Sequence, residues 1–165
     1  MSELVIGIRT HGGPGIGLGH VRRCLTLAGA LVQLGTRVGF VVNDDDALLR
    51  LILDRGYAAV GVAEGQDLAS TAAILKDWQA RVLITDSYDL PYEYLAAWRE
   101  TIGVLAIIDD LANRELPADV VTNSAVNAAQ VLYHALPETI FLLGPSYARC
   151  GRSLLLPSNA RYVTG

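Results

Sequence analysis

Short apolar runs, none approaching the length that crosses a bilayer, recur along this chain at intervals filled by helical periodicity. Residues 4–8, 38–42, 82–84, 104–108 and 140–143 are each bounded by polar residues or glycine, as strands are when both faces of a parallel sheet are covered. Between them lie segments such as 20–34, where Val21, Cys24, Leu25, Ala28, Leu31 and Val32 share one helical face and Gly35 supplies the stop. This alternation constrains the fold more than any motif does. Repeated strand–helix–strand units close into an open parallel sheet with helices on both faces.

The pattern predicts strands at residues 3–9, 37–42, 58–62, 82–86, 104–108, 119–123 and 140–143. Helices are expected at 20–34, from the acidic cap Asp44–Asp46 to 55, at 67–78, at 91–99 and at 127–135, with His134 complementing the C-terminal end of the last. The expected fold class is α/β, a Rossmann-like three-layer domain with a mostly parallel sheet of about seven strands, occupying residues 1–150. Residues 151–165 carry no clear element and read as linker or tail.

The chain has 165 residues, enough for one domain with a substantial core, and 52% of them are apolar. Net charge is −4, and Lys76 is the one lysine among 13 basic residues, which are scattered rather than gathered into a stripe; no nucleic-acid footprint is expected. No signal peptide opens the chain, so the expected location is cytoplasmic, with no membrane span. Cys24 and Cys150 make neither a disulfide framework nor a metal cluster, and Cys24 reads as a small core residue. Three histidines without ligand spacing give no metal site, and no cofactor is expected.

Behind the first strand stands Gly15-Ile16-Gly17-Leu18-Gly19-His20-Val21-Arg22-Arg23-Cys24-Leu25. Glycines let backbone N–H groups approach a phosphate-bearing ligand, and the helix N-terminus adds a positive field. His20, at the mouth of that helix, is the candidate general base. The alternating glycines fail the spacing of the dinucleotide fingerprint, and Leu18 stands where a P-loop needs lysine. The plainer reading is a tight turn followed by a helix-terminal histidine. His11, in the same loop, faces either ligand or solvent.

Ligands of open α/β sheets bind beyond the carboxyl ends of the strands. The chain places polar candidates at five such ends: Gly17, Gly19, His20 and Arg23 after strand one, Asp86 and Tyr88 after strand four, Asp109 and Asp110 after strand five, then Asn123 and Tyr147 after strands six and seven. Asp109-Asp110 suits a cation, a sugar hydroxyl or a helix cap; Asp86-Ser87-Tyr88 suits a polyol or a tie to backbone amides.

Together these segments resemble the N-terminal domain of the UDP-sugar hydrolases of the pseudaminic acid pathway, relatives of the spore-coat polysaccharide biosynthesis family. The resemblance runs from about residue 4 to 150. Residues 16–28, 85–90, Ile108-Asp109-Asp110-Leu111-Ala112, Val121-Thr122-Asn123 and Leu143-Gly144-Pro145-Ser146-Tyr147-Ala148 carry it, in the family's order. It implies the N-terminal half of a glycosyltransferase-B-like fold and hydrolysis of a UDP-2,4-diacetamido-2,4,6-trideoxyhexose to UDP and free sugar, without a required metal. His20 would activate water, Arg23 would position sugar or phosphate, and Asp86 and Tyr88 would line the sugar pocket, with Asp109 and Asp110 as further candidates. A nucleotide-binding C-terminal domain, absent here, would be supplied in cis or in trans. The chain departs from the family where Thr10-His11 follow Arg9 and where Tyr147-Ala148 run into Arg149-Cys150. A UDP-sugar glycosyltransferase of the same architecture and a non-catalytic sugar-binding or partner domain are the rival readings.

Overall fold

A computed structural model describes residues 3–148. Seven strands form one sheet, β1 (Val5–Thr10), β2 (Arg37–Asn43), β3 (Ala58–Val62), β4 (Val82–Asp86), β5 (Val104–Ile108), β7 (Val120–Asn123) and β9 (Ile140–Leu143). A separate two-stranded pair joins β6 (Glu115–Leu116) to β8 (His134–Ala135). Every ladder is parallel, and the spatial order is β3-β2-β1-β4-β5-β7-β9. The helices are α1 (Gly19–Gln33), α2 (Asp46–Leu53), α3 (Asp67–Asp77) and α4 (Tyr92–Thr101).

The two faces of the sheet carry separate cores. On one, Ile6, Ile8, Val38, Phe40 and Val42 meet Val21, Cys24, Leu25 and Ala28 of α1 and Leu48 and Ile52 of α2. On the other, Leu83, Leu105, Ile107 and Val121 meet Leu75 of α3 and Leu95 and Trp98 of α4. The strands are apolar on both faces because both are covered, which is why they read as continuous runs. Gly39 of β2 makes that closeness possible: a Cβ there would lie 2.5 Å from the Trp78 ring. α2 is capped by the second of the three aspartates, Asp45, whose side chain accepts from Leu48 N at 2.8 Å.

One expected helix is absent. Over residues 127–135 the chain forms only a 3-10 turn at Ala128–Gln130 and then the extended strand β8. Tyr133 explains the outcome. Its hydroxyl donates to the carbonyl of Asp109 at 2.8 Å and accepts from Asn123 Nδ2 at 2.9 Å, anchoring the segment to the strand ends. His134 therefore lies on an exposed strand pairing with Glu115, not at a helix end. The expected tail at 151–165, and Cys150, lie outside the described residues.

The strand order reverses direction between β1 and β4. From β1 the chain proceeds outward through β2 and β3, then returns to place β4 on the other side of β1. Thr10 and Asp86, the last residues of these two strands, are register partners. A crevice at such a switch point is where open α/β sheets bind ligands.

Candidate functional site

Asp86 ends β4 with its carboxylate fully buried. A lone buried carboxylate is costly, so its partners matter. α1 supplies three, from positions 20, 23 and 24, which share one helical face. His20 Nδ1 donates to Asp86 Oδ1 at 2.7 Å, and Arg23 Nη2, 3.3 Å from the same nitrogen, donates instead to that carboxylate oxygen. Arg23 grips both oxygens, Nη2 to Oδ1 at 2.5 Å and Nε to Oδ2 at 2.7 Å. The Cys24 thiol donates to Oδ2 at 3.4 Å. From β1, the Thr10 hydroxyl donates to the Asp86 carbonyl at 3.0 Å.

Arg23 also reaches the next strand end. Its Nη1 donates to Asp110 Oδ2 at 2.5 Å, and the Tyr88 hydroxyl donates to the same oxygen at 3.3 Å. The Tyr88 ring meets the His20 ring edge-on, centroids 4.6 Å apart. His20, Arg23, Asp86, Tyr88 and Asp110 thus form one connected cluster. Burial opposes the Arg23 charge, but hydrogen bonds and attraction from Asp86 and Asp110 outweigh it and hold the guanidinium protonated beyond its ordinary value. Burial, and then the Asp86 charge, push the Cys24 thiol well above its usual range, so it is no nucleophile. The Tyr88 phenol is raised by burial and the neighbouring Asp110 charge.

His20 uses Nδ1 for Asp86, and no hydrogen bond to its Nε2 occurs among the described residues. A carboxylate that fixes one ring nitrogen as the N–H leaves the other as an acceptor, the arrangement of an oriented general base. The side chain is 11% exposed, so it is not sealed from solvent.

Other predicted residues are placed differently. Gly17 has φ +83°, and its amide and that of Gly13 donate to each other's carbonyls, at 2.8 and 3.1 Å, so neither is available to a phosphate. Gly19 is the first residue of α1, open to solvent. Asp109 shapes its own turn: Oδ1 accepts from Leu111 N and Ala112 N at 3.0 and 2.7 Å. Asn123 is buried, bonded to Tyr133 and to Ala125 N. Tyr147 sits in a 3-10 turn after β9, four strands from β1, roughly 19 Å at ordinary strand spacing. The fold does not bring Asn123 or Tyr147 to His20.

The sequence reading missed a second polar cluster on the opposite face. Arg9, 1% exposed, donates from Nε and Nη2 to Asp67 at the start of α3, and Tyr94 and Thr71 donate to Asp67 Oδ1 at 2.9 Å each. Burial raises the Asp67 carboxyl, but the Arg9 hydrogen bonds and charge prevail and lower it. His11 bridges the clusters, Nε2 on Arg9 Nη2 at 2.7 Å and Nδ1 on Ser87 Oγ at 2.6 Å. Since guanidinium only donates, Nε2 accepts and Nδ1 carries the proton. Burial and then the Arg9 charge lower the His11 pKa from 6.5 to about 4. A cavity of about 620 Å³, lined by Arg9, His11, Asp67, Asp89, Leu90 and Tyr94, opens beside this cluster. An arginine inside an otherwise apolar first strand was the available signal, because a charge there needs a buried partner.

No family model matches the chain. It is 24% identical over 147 residues to the uncharacterized protein MJ1062 of Methanocaldococcus jannaschii, a match covering 86% of this chain and 30% of that protein. The crystal structure of Acinetobacter baumannii MurG superposes with a TM-score of 0.57 at 16% identity, covering 79% of this chain and 44% of MurG. The chain thus spans less than half the length of either. The likeness bears out the expected fold, a mostly parallel Rossmann-like sheet of the glycosyltransferase-B-like kind. Among the described residues, no group of three or more His, Cys, Asp or Glu side chains is placed to hold a metal ion, and no helix is long and apolar enough to cross a membrane.

Proposed function

We propose that this chain is the sugar-facing half of a nucleotide-sugar enzyme, and specifically of a hydrolase releasing UDP and free sugar from a UDP-2,4-diacetamido-2,4,6-trideoxyhexose in nonulosonic acid or surface polysaccharide biosynthesis. One observation supports the reading: His20, oriented by the buried Asp86, stands at the β1–β4 switch point with no hydrogen bond to Nε2 among the described residues. The resemblance in residues 16–28 and 85–90 names the substrate class.

The cluster contains Asp86 and Asp110 against Arg23, one negative charge in excess while His20 is neutral. A proton taken by His20 brings that formal balance to zero. In the reaction, Nε2 accepts a proton from water as its oxygen bonds to the anomeric carbon. The bond from that carbon to the diphosphate oxygen breaks, and its electron pair leaves on UDP. Asp86 stabilises the imidazolium, and Arg23 keeps Asp86 in place. Asp110 and Tyr88 present polar atoms to the sugar beside the ring. Diphosphate is a good leaving group, so a placed base and an oriented sugar supply the chemistry needed. The nucleotide would rest on a second domain, in cis or in trans.

The test is UDP release from the diacetamido-sugar nucleotide by the full native protein, with His20→Ala beside it. Release without any acceptor that disappears in the variant supports hydrolysis. Release that needs an added sugar or lipid acceptor supports a glycosyltransferase, and undiminished turnover in the variant removes His20 from the mechanism.

A further inference from the structure

We infer that Arg114 is a positioning residue, which fixes the gap between Tyr88 and Asp110 and thereby the ring contact on His20. It lies between β5 and β6, outside every block that the sequence singled out. Its side chain is four-fifths buried, and its guanidinium holds three carbonyls of the loop after β4: Nη2 donates to Ser87 O at 2.9 Å, and Nη1 to Tyr88 O at 3.2 Å and to Leu90 O. Buried carbonyls need donors, and here one planar fork supplies them and closes the turn that carries Tyr88.

The same guanidinium faces the other half of the cluster. Asp109 is 1% exposed, its Oδ1 is taken by two amides, and its Oδ2 has no hydrogen-bond partner among the described residues. Arg114 Nη2 stands 3.9 Å from that oxygen and supplies the compensating charge. The Asp109 turn, in which Ala112 adopts φ +49°, is the one that presents Asp110. Tyr88 and Asp110 belong to different loops, and Arg114 is bound to both. Where they meet, the Tyr88 hydroxyl is 3.3 Å from Asp110 and its ring is edge-on to His20. Lysine keeps the charge but offers no planar fork for three carbonyls.

This inference rests on His20 as the reacting group, but its first test needs no turnover. In the full native chain, nuclear Overhauser contacts between the His20 and Tyr88 rings are compared in wild type, Arg114→Lys and Arg114→Gln. The expected result is loss of the ring–ring contacts in both variants while contacts of Val21 and Cys24 with β1 persist. Added guanidinium ion should restore the ring contacts in Arg114→Ala. Unchanged ring contacts in folded variants overturn the inference, and so does failure of even Arg114→Lys to fold, since Arg114 would then serve the fold as a whole.

Turnover is the second readout. UDP release by Arg114→Lys should fall about 10- to 100-fold, the effect of a small misplacement, with the shape of the pH profile unchanged because the substitution keeps the charge. A wild-type protein that releases no UDP would defeat the proposed function, while the ring contacts would still decide the role of Arg114.

Discussion

Two arginine–aspartate clusters flank the seam between β1 and β4, one on each face of the sheet, and they are built to opposite ends. Around Asp67 every polar atom is spent: Arg9, Thr71 and Tyr94 all donate to it, and His11 gives its acceptor nitrogen to Arg9. Around Asp86 the carboxylate is equally saturated, yet the cluster ends on groups with capacity to spare, the second nitrogen of His20 and the 29%-exposed Asp110. Burial of an ion pair is common to both. What separates a structural clasp from a candidate reactive site is whether the hydrogen-bond chain closes on itself or leaves an acceptor unused.

The sharpest way to break this comparison is through His20. His20→Ala should lower UDP release by about 10²- to 10⁴-fold, the usual worth of a general base, with a smaller fall in melting temperature because Arg23 still holds both Asp86 oxygens. Asp67→Ala should do the reverse. It leaves Arg9, 1% exposed, without its counter-charge, at a cost of about 3 kcal/mol read by denaturant unfolding, while the folded fraction turns over as before. If Asp67→Ala removed activity at unchanged stability, the two clusters would have to exchange roles.

Smaller effects refine the contrast. With the folded His11 pKa at about 4 against 6.5 ordinarily, the unfolded chain binds a proton between those values that the folded chain refuses. Stability should therefore decline as pH falls from 6.5 towards 4, and His11→Gln should flatten the slope of melting temperature against pH in that window. Smallest is Tyr88→Phe. Tyr88 is 43% exposed and its bond to Asp110 is long, so the expected loss is about 0.5–1.5 kcal/mol of sugar binding, read as a rise in KM at steady kcat.

The sheet was legible because its strands are covered on both faces and its helices on one, so each leaves a distinct period in the chain. The gathering of Asp86, Tyr88 and Asp110 near His20 was legible too, since strand ends must meet at one edge. The closing partners were not. Asp67 lies 58 residues from Arg9, and Arg114 lies 24 from the carbonyl of Leu90 that it holds. Nothing in the local pattern names such pairs. The 127–135 segment failed for a related reason, because a tyrosine hydroxyl bonded to distant strand ends overrode local helix propensity.

The pairing of Thr10 with Asp86 has a consequence in time as well as in space. The bond between them spans 76 residues of chain, and α1, β2, α2, β3 and α3 all lie between the two strands in sequence. Parallel ladders of this kind carry high contact order and close slowly. The surroundings of His20 should therefore mature in the slowest refolding phase, after the α1 and α2 layer has formed. An intermediate trapped earlier would already hold much of its helix yet lack the imidazole–carboxylate pair.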